Sequence, residues 1–129
     1  MSRAVLDTSV LIAREQGRPL NRPLPDNVAI SVVSLAELEV GVLMARDAST
    51  RGRRLQTLTE VRSLSGALPI DERTASAYAR LAANVLGEGR KPRVHDTWIA
   101  ASALVNDAEV WTQDADFSDF AEAVTLVRV

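Results

Sequence analysis

Five acidic residues, Asp7, Glu37, Asp96, Asp114 and Asp116, fall where strands of this chain should end or helices begin. In an open α/β sheet the functional crevice lies beyond the carboxyl ends of the strands, so side chains spaced in this way converge there from distant segments. Carboxylates packed together repel one another unless a cation sits among them. The chemistry to expect is that of a hard divalent metal on oxygen ligands, which lowers the pKa of a bound water and neutralises developing negative charge. Thr8, Ser9 and Thr112 put hydroxyls beside these acids and are candidates to orient them from behind.

Each acid also has a structural explanation. Asp7, Asp96 and Asp114 suit helix N-caps, and Ser34-Leu35-Ala36-Glu37 matches a capping box in which Glu37 bonds back to Ser34. Capping leaves unexplained why Asp7 follows an apolar run in Val5-Leu6-Asp7-Thr8-Ser9, and why Thr112-Gln113-Asp114-Ala115-Asp116 follows another. If those two strands are neighbours, Asp7 and Asp114 face one crevice.

The elements that must position these side chains read as βα units. Arg3–Leu6 and Val28–Val32 are continuous apolar runs of the kind buried on both faces of a parallel sheet. Between them lies a short helix and then an irregular loop, Gly17–Asn27, with Pro19, Pro23 and Pro25. Helical periodicity predicts an antiparallel pair over Ser34–Ala45 and Arg53–Leu64. A third strand at Ala67–Ile70 leads into the strongest amphipathic stretch, carried by Ala75, Tyr78, Ala79, Ala82, Val85 and Leu86 and ended by Gly87 or Gly89. A helix from Asp96 to Val105, a strand at Glu109–Thr112, a short helix and a last strand at Val124–Val127 complete an α/β pattern.

The 129 residues suit one domain over 1–129. Cysteine is absent, which excludes disulfides, thiolate metal sites and cysteine nucleophiles. The apolar run before Asp7 is too short for a signal peptide and no later stretch would span a bilayer, so a cytoplasmic protein with no membrane partner is expected. A net charge of −2 does not exclude nucleic acid, because clustered acids lower the total of a chain whose remaining surface is basic. Fourteen of the fifteen basic residues are Arg, which reads mainly as compositional bias.

The chain resembles the PIN domains, and more narrowly the VapC-type toxin ribonucleases of toxin–antitoxin pairs. The resemblance rests on Val5-Leu6-Asp7-Thr8-Ser9-Val10-Leu11-Ile12, Glu37-Leu38-Glu39-Val40-Gly41, Asp96-Thr97-Trp98-Ile99-Ala100-Ala101 and Thr112-Gln113-Asp114-Ala115-Asp116-Phe117, in that order. It implies a three-layer fold with a parallel five-stranded sheet in the order 3-2-1-4-5. It further implies Mg²⁺- or Mn²⁺-dependent RNA cleavage that leaves a 5′-phosphate, a cognate VapB-type antitoxin, and a homodimer. Carried over position by position, it makes Asp7, Glu37, Asp96 and Asp114 catalytic, with the metal held by Asp7, Asp96, Asp114 and Asp116. Glu37 is preferred to Glu39 because it precedes Gly41 by the family's spacing. The Thr112–Asp116 ending departs from the usual spacing by one residue, which leaves Asp116 between a water-mediated ligand and a cap.

RNA requires positive charge beside the acids. Arg90, Lys91 and Arg93, in the loop before Asp96, are favoured over Arg51, Arg53 and Arg54, which read as a solvated helix face. His95 need not be a general base, and Trp98 and Trp111 are read as core residues. Two other readings compete. A non-catalytic PIN-like binding module would lack the intact acidic set. A phosphotransfer domain of the dehalogenase or receiver type would need an Asp where Ser9 stands, or a Lys after a late strand, whereas Lys91 precedes a helix.

Overall fold

The apolar run that opens the chain becomes a central strand. The computed structural model describes residues 3–64 and 66–129, in the order β1 (Arg3–Leu6), α1 (Thr8–Glu15), β2 (Val28–Ala29), α2 (Val32–Leu43), α3 (Ala48–Ser63), α4 (Glu72–Gly87), α5 (Val94–Val105), β3 (Ala108–Thr112), a 3-10 helix (Ala115–Phe120) and β4 (Leu126–Arg128). The sheet is parallel throughout, with four strands in the order β2-β1-β3-β4. The order in which strands are added therefore reverses between β1 and β3, which opens a crevice at their carboxyl ends.

The alternation of side chains along the strands divides the core into two layers. Val5 and Val110 pack with Ala77, Leu81 and Val85 of α4, with Ile99 of α5, and with Phe117 and Phe120. Ala4, Leu6 and Trp111 pack on the other face with Val10 and Leu11 of α1, Leu38 of α2, and Leu58 and Val61 of α3. Strands covered on both faces must be apolar at every position, which is why β1 reads as a continuous run. The three-layer α/β architecture is the one the sequence predicts.

Several boundaries depart from the sequence reading. The predicted third strand shrinks to one parallel bridge, Ser31 to Leu68. There Leu68 N–H donates to Ile30 O at 2.8 Å, and Leu68 O accepts from Val32 N–H at 3.0 Å. The ladder stops because Val32 already begins α2. Ser31, not Ser34, caps α2, accepting from Val33 N–H at 3.1 Å, so the predicted capping box does not form. Asp47 caps α3, accepting from Thr50 N–H at 2.8 Å, and the helix begins at Ala48 rather than Arg53. The α5 helix starts at Val94, which leaves Asp96 inside its first turn rather than at its cap. At the end of α4, Gly89 takes a φ of +76° so that Arg90 N–H turns back to Val85 O at 3.2 Å.

On the helix pair α2 and α3, Leu58 is buried, while Leu55, Val40, Leu43 and Met44 remain exposed. Among the described residues, no helix is long and apolar enough to cross a membrane.

Candidate active site

Asp7 leaves β1 at the crevice and is only 5% exposed. Its N–H donates to Trp111 O at 2.9 Å, which ties it to the end of β3. Its Oδ2 accepts from Ser9 Oγ at 2.6 Å and from Thr112 Oγ1 at 3.0 Å, with a longer contact of 3.4 Å from Ser9 N–H. Ser9 Oγ accepts from Gln113 N–H at 3.0 Å, and Thr112 Oγ1 accepts from Asp114 N–H at 2.9 Å. The two hydroxyls thus weld the β1 and β3 ends together while aiming their protons at one carboxylate. Asp7 caps α1 and lines the crevice at once, so the capping and site readings coexist.

Glu37 is freed from capping by the shifted start of α2. Its Oε1 accepts from Thr8 Oγ1 at 2.9 Å, and the same hydroxyl lies 3.1 Å from the buried Ser34 Oγ. Its Oε2 lies 3.4 Å from His95 Nδ1, at the edge of a groove of about 580 Å³ lined also by Val33, Val40, Val94 and Trp98. Trp111 is buried as expected, whereas Trp98 is half-buried, stacks on Tyr78 with ring centroids 4.0 Å apart, and faces this groove.

Asp96 is the most perturbed acid. Its side chain is 13% exposed, and burial pushes its pKa up from 3.8 to about 6; Arg93 pulls it down, and the charges of Asp7, Asp114 and Glu37 push it further up. Those repulsions mean that four acids from four segments share one field. Arg93 Nε stands 3.0 Å from Asp96 Oδ2, yet off the line of a hydrogen bond, and that buried oxygen has no hydrogen-bond partner. Asp114 caps the 3-10 helix through Asp116 N–H at 2.8 Å, and its Oδ2 lies 3.5 Å from Arg93 Nη1. The Asp116 carboxylate, 62% exposed, pairs with the same Nη1 at the rim.

Of the three cations predicted to meet RNA, Lys91 is exposed, Arg90 is held by Glu88 and Asp119, and Arg93 lies across the acids. In the second basic run, Arg54 donates to Gly41 O at 2.7 Å and Arg51 to Ala45 O at 3.2 Å, joining α3 to the end of α2. Sequence reasoning misses two sets of contacts. Its capping-box match assigns the Ser34 hydroxyl to the backbone rather than to Thr8. It also gives no sign that Arg93 meets three acids, although the three-residue spacing from Asp96 puts those two on one helix face.

Among the described residues, no three acidic or histidine side chains are gathered closely enough to hold a metal ion as they stand. The donor set is nonetheless of the kind a hard divalent cation takes. It consists of oxygen atoms alone, one of them the buried and unpartnered Oδ2 of Asp96, in a field the acids themselves make unfavourable.

Comparison with known proteins gives concordant findings. The PIN domain family matches residues 4–123. Ribonuclease VapC5 of Mycobacterium tuberculosis is 48% identical over 97% of this chain and 94% of its own length. Ribonuclease VapC8 of the same organism is 42% identical over 78% of this chain and 90% of its length. A solved structure of VapBC-5 from Mycobacterium tuberculosis, a member of the VapBC family of toxin–antitoxin systems, superposes with a TM-score of 0.89 at 42% identity and covers 100% of both chains. FitAcB from Neisseria gonorrhoeae superposes with a TM-score of 0.73 at 26% identity over 95% of each chain.

Proposed function

The chain belongs to the PIN-domain family, and from that premise we propose that its acidic crevice cleaves cellular RNA with the aid of Mg²⁺ or Mn²⁺. It is a VapC-type endoribonuclease toxin, a metal-dependent hydrolase of phosphodiester bonds, and the catalytic reading stands over that of a non-catalytic module. The observation that carries the site assignment is a buried Asp96 oxygen that no hydrogen-bond donor satisfies, in the field of the nearby Asp7, Glu37 and Asp114 carboxylates.

In this reading Asp7, Asp96 and Asp114 hold the metal, and Asp116 serves it from the rim through water. The metal supplies an activated water and neutralises charge on the scissile phosphate. Thr112 and Ser9 fix the Asp7 carboxylate by donating to one oxygen, which leaves the other free to bind. Thr8 holds one oxygen of Glu37, and the other is turned toward the crevice side of His95. Glu37 thereby orients water without needing a histidine base. Arg90, Lys91 and Arg93 lie along the loop that enters α5 and supply positive charge for the RNA backbone.

The partners follow the same premise: a VapB-type antitoxin, and a second copy of this chain. Exposed Val40, Leu43 and Met44 at the end of α2, with Leu55 on α3, offer apolar surface for these contacts. Leu58 is in the core and contributes none.

The test is to incubate antitoxin-free protein with total RNA and Mg²⁺ or Mn²⁺, beside an Asp7→Asn variant and a chelator control, and to map new 5′ ends. Cleavage lost in both controls supports the reading. Cleavage that survives Asp7→Asn, or no cleavage of any RNA class by folded, metal-binding protein, overturns it.

A further inference from the structure

Arg93 occupies an unusual position for a cation expected to meet RNA. Its guanidinium stands 3.0 Å from Asp96 Oδ2 by Nε and 3.5 Å from Asp114 Oδ2 by Nη1, and the same Nη1 pairs with Asp116 Oδ2. Three of the acids assigned to the metal are therefore met by the single positive charge of one side chain of this chain. The arrangement uses the fork of a guanidinium, which spans several carboxylates where a compact ammonium would meet one. It is also open to solvent. Arg93 is 50% exposed, and its contact with Asp96 lies off hydrogen-bond alignment, leaving that buried oxygen without a donor. A half-exposed monovalent cation over a buried carboxylate is one that a divalent ion can displace.

We propose that Arg93 is a resident counter-ion of the metal-free site, exchanged for the metal: it holds the Asp96, Asp114 and Asp116 side of the crevice in place until a divalent cation takes those carboxylates and releases it. This rests on the reading of the acids as a metal site. The exchange also orders the ligands, because a guanidinium bound to three carboxylates is not available to a phosphate. Metal therefore enters before RNA.

The test is Mn²⁺ affinity, measured by calorimetry or by electron paramagnetic resonance on the full chain without RNA, for the wild type, Arg93→Gln and Arg93→Lys. Arg62→Gln, which removes an equal charge from an outer pair with Glu39, is the control. The expected result is a Kd lowered by about fivefold in Arg93→Gln, the size of effect a half-exposed ion pair carries, with a smaller gain for Arg93→Lys and none for Arg62→Gln. In the wild type, the Nε–H resonance of Arg93 shifts as Mg²⁺ is added, a readout that needs no variant. Equal Mn²⁺ affinity in the wild type and Arg93→Gln, with an unmoved Arg93 resonance, overturns the exchange and leaves the metal site standing. If neither protein binds Mn²⁺, the metal reading falls and the exchange falls with it.

Discussion

The two walls of the crevice are built on different physics. The Asp7 and Glu37 wall, with Asp7 buried and Glu37 partly so, is held by neutral hydroxyls: Ser9 and Thr112 donate to Asp7, and Thr8 donates to Glu37. The opposite wall, with Asp96, Asp114 and Asp116, is held largely by one half-exposed guanidinium. Hydrogen bonds between buried groups are directional and little screened, whereas a half-exposed ion pair is weak, mobile and salt-sensitive. One wall is thus set in advance of any ligand, and the other is adjustable.

The comparison breaks most sharply if a buried acid can be removed without loss. Asp7→Asn and Asp96→Asn are each expected to lower the rate of RNA cleavage by at least roughly 10²-fold, as loss of a group that stabilises developing charge does. A gel assay with 5′-end mapping checks this, and near-normal cleavage by Asp7→Asn would show that the rigid wall is only structural.

The next effect is on the hydroxyls. Thr112→Val removes a donor to Asp7 and an acceptor for Asp114 N–H. It should cost about 1–3 kcal/mol of stability in urea unfolding. It should also weaken metal affinity or activity by roughly tenfold to a hundredfold, because the carboxylate loses its orientation.

A third effect is in pH. The Asp96 pKa is raised from 3.8 to about 6, so its contribution to stability is complete below about pH 4 and is lost as pH rises through about 6. In chelator, thermal unfolding of the wild type should therefore show a Tm component that falls between about pH 4 and 7, and Asp96→Asn should lack it. An identical pH slope in the two proteins would remove burial as the cause.

The smallest effect is on the adjustable wall. Arg93→Gln is expected to change stability by less than about 1 kcal/mol, with the difference shrinking in high salt. Under the same conditions the cost of Thr112→Val should barely move. Equal salt sensitivity of the two variants would erase the distinction between the walls.

Much of the fold is legible in residue order alone. Continuous apolar runs flanking helical periodicity announce parallel strands buried on both faces, and Arg3–Leu6 forms β1 with the predicted boundaries. Elements depart from prediction where two local preferences compete. Val32 and Val33 extend a β-branched run and so carry the pattern of a strand, yet Ser31 caps a helix there and draws both into α2. That two-residue shift also shortens the sheet edge to the Ser31–Leu68 bridge and takes Glu37 out of a capping box.

The sequence by itself determined the α/β class and the family and singled out the acids as candidates, because residue type and order along the chain carry those. Only the tertiary structure decided which acids feel one another and what holds each. Those depend on the β1–β3 pairing, which brings Thr112 to Asp7 across 105 positions, and on a loop that lays Arg93 over acids up to 23 residues away. No local pattern encodes such distances, since they arise from the closing of the sheet and not from the spacing of residues along a helix or strand.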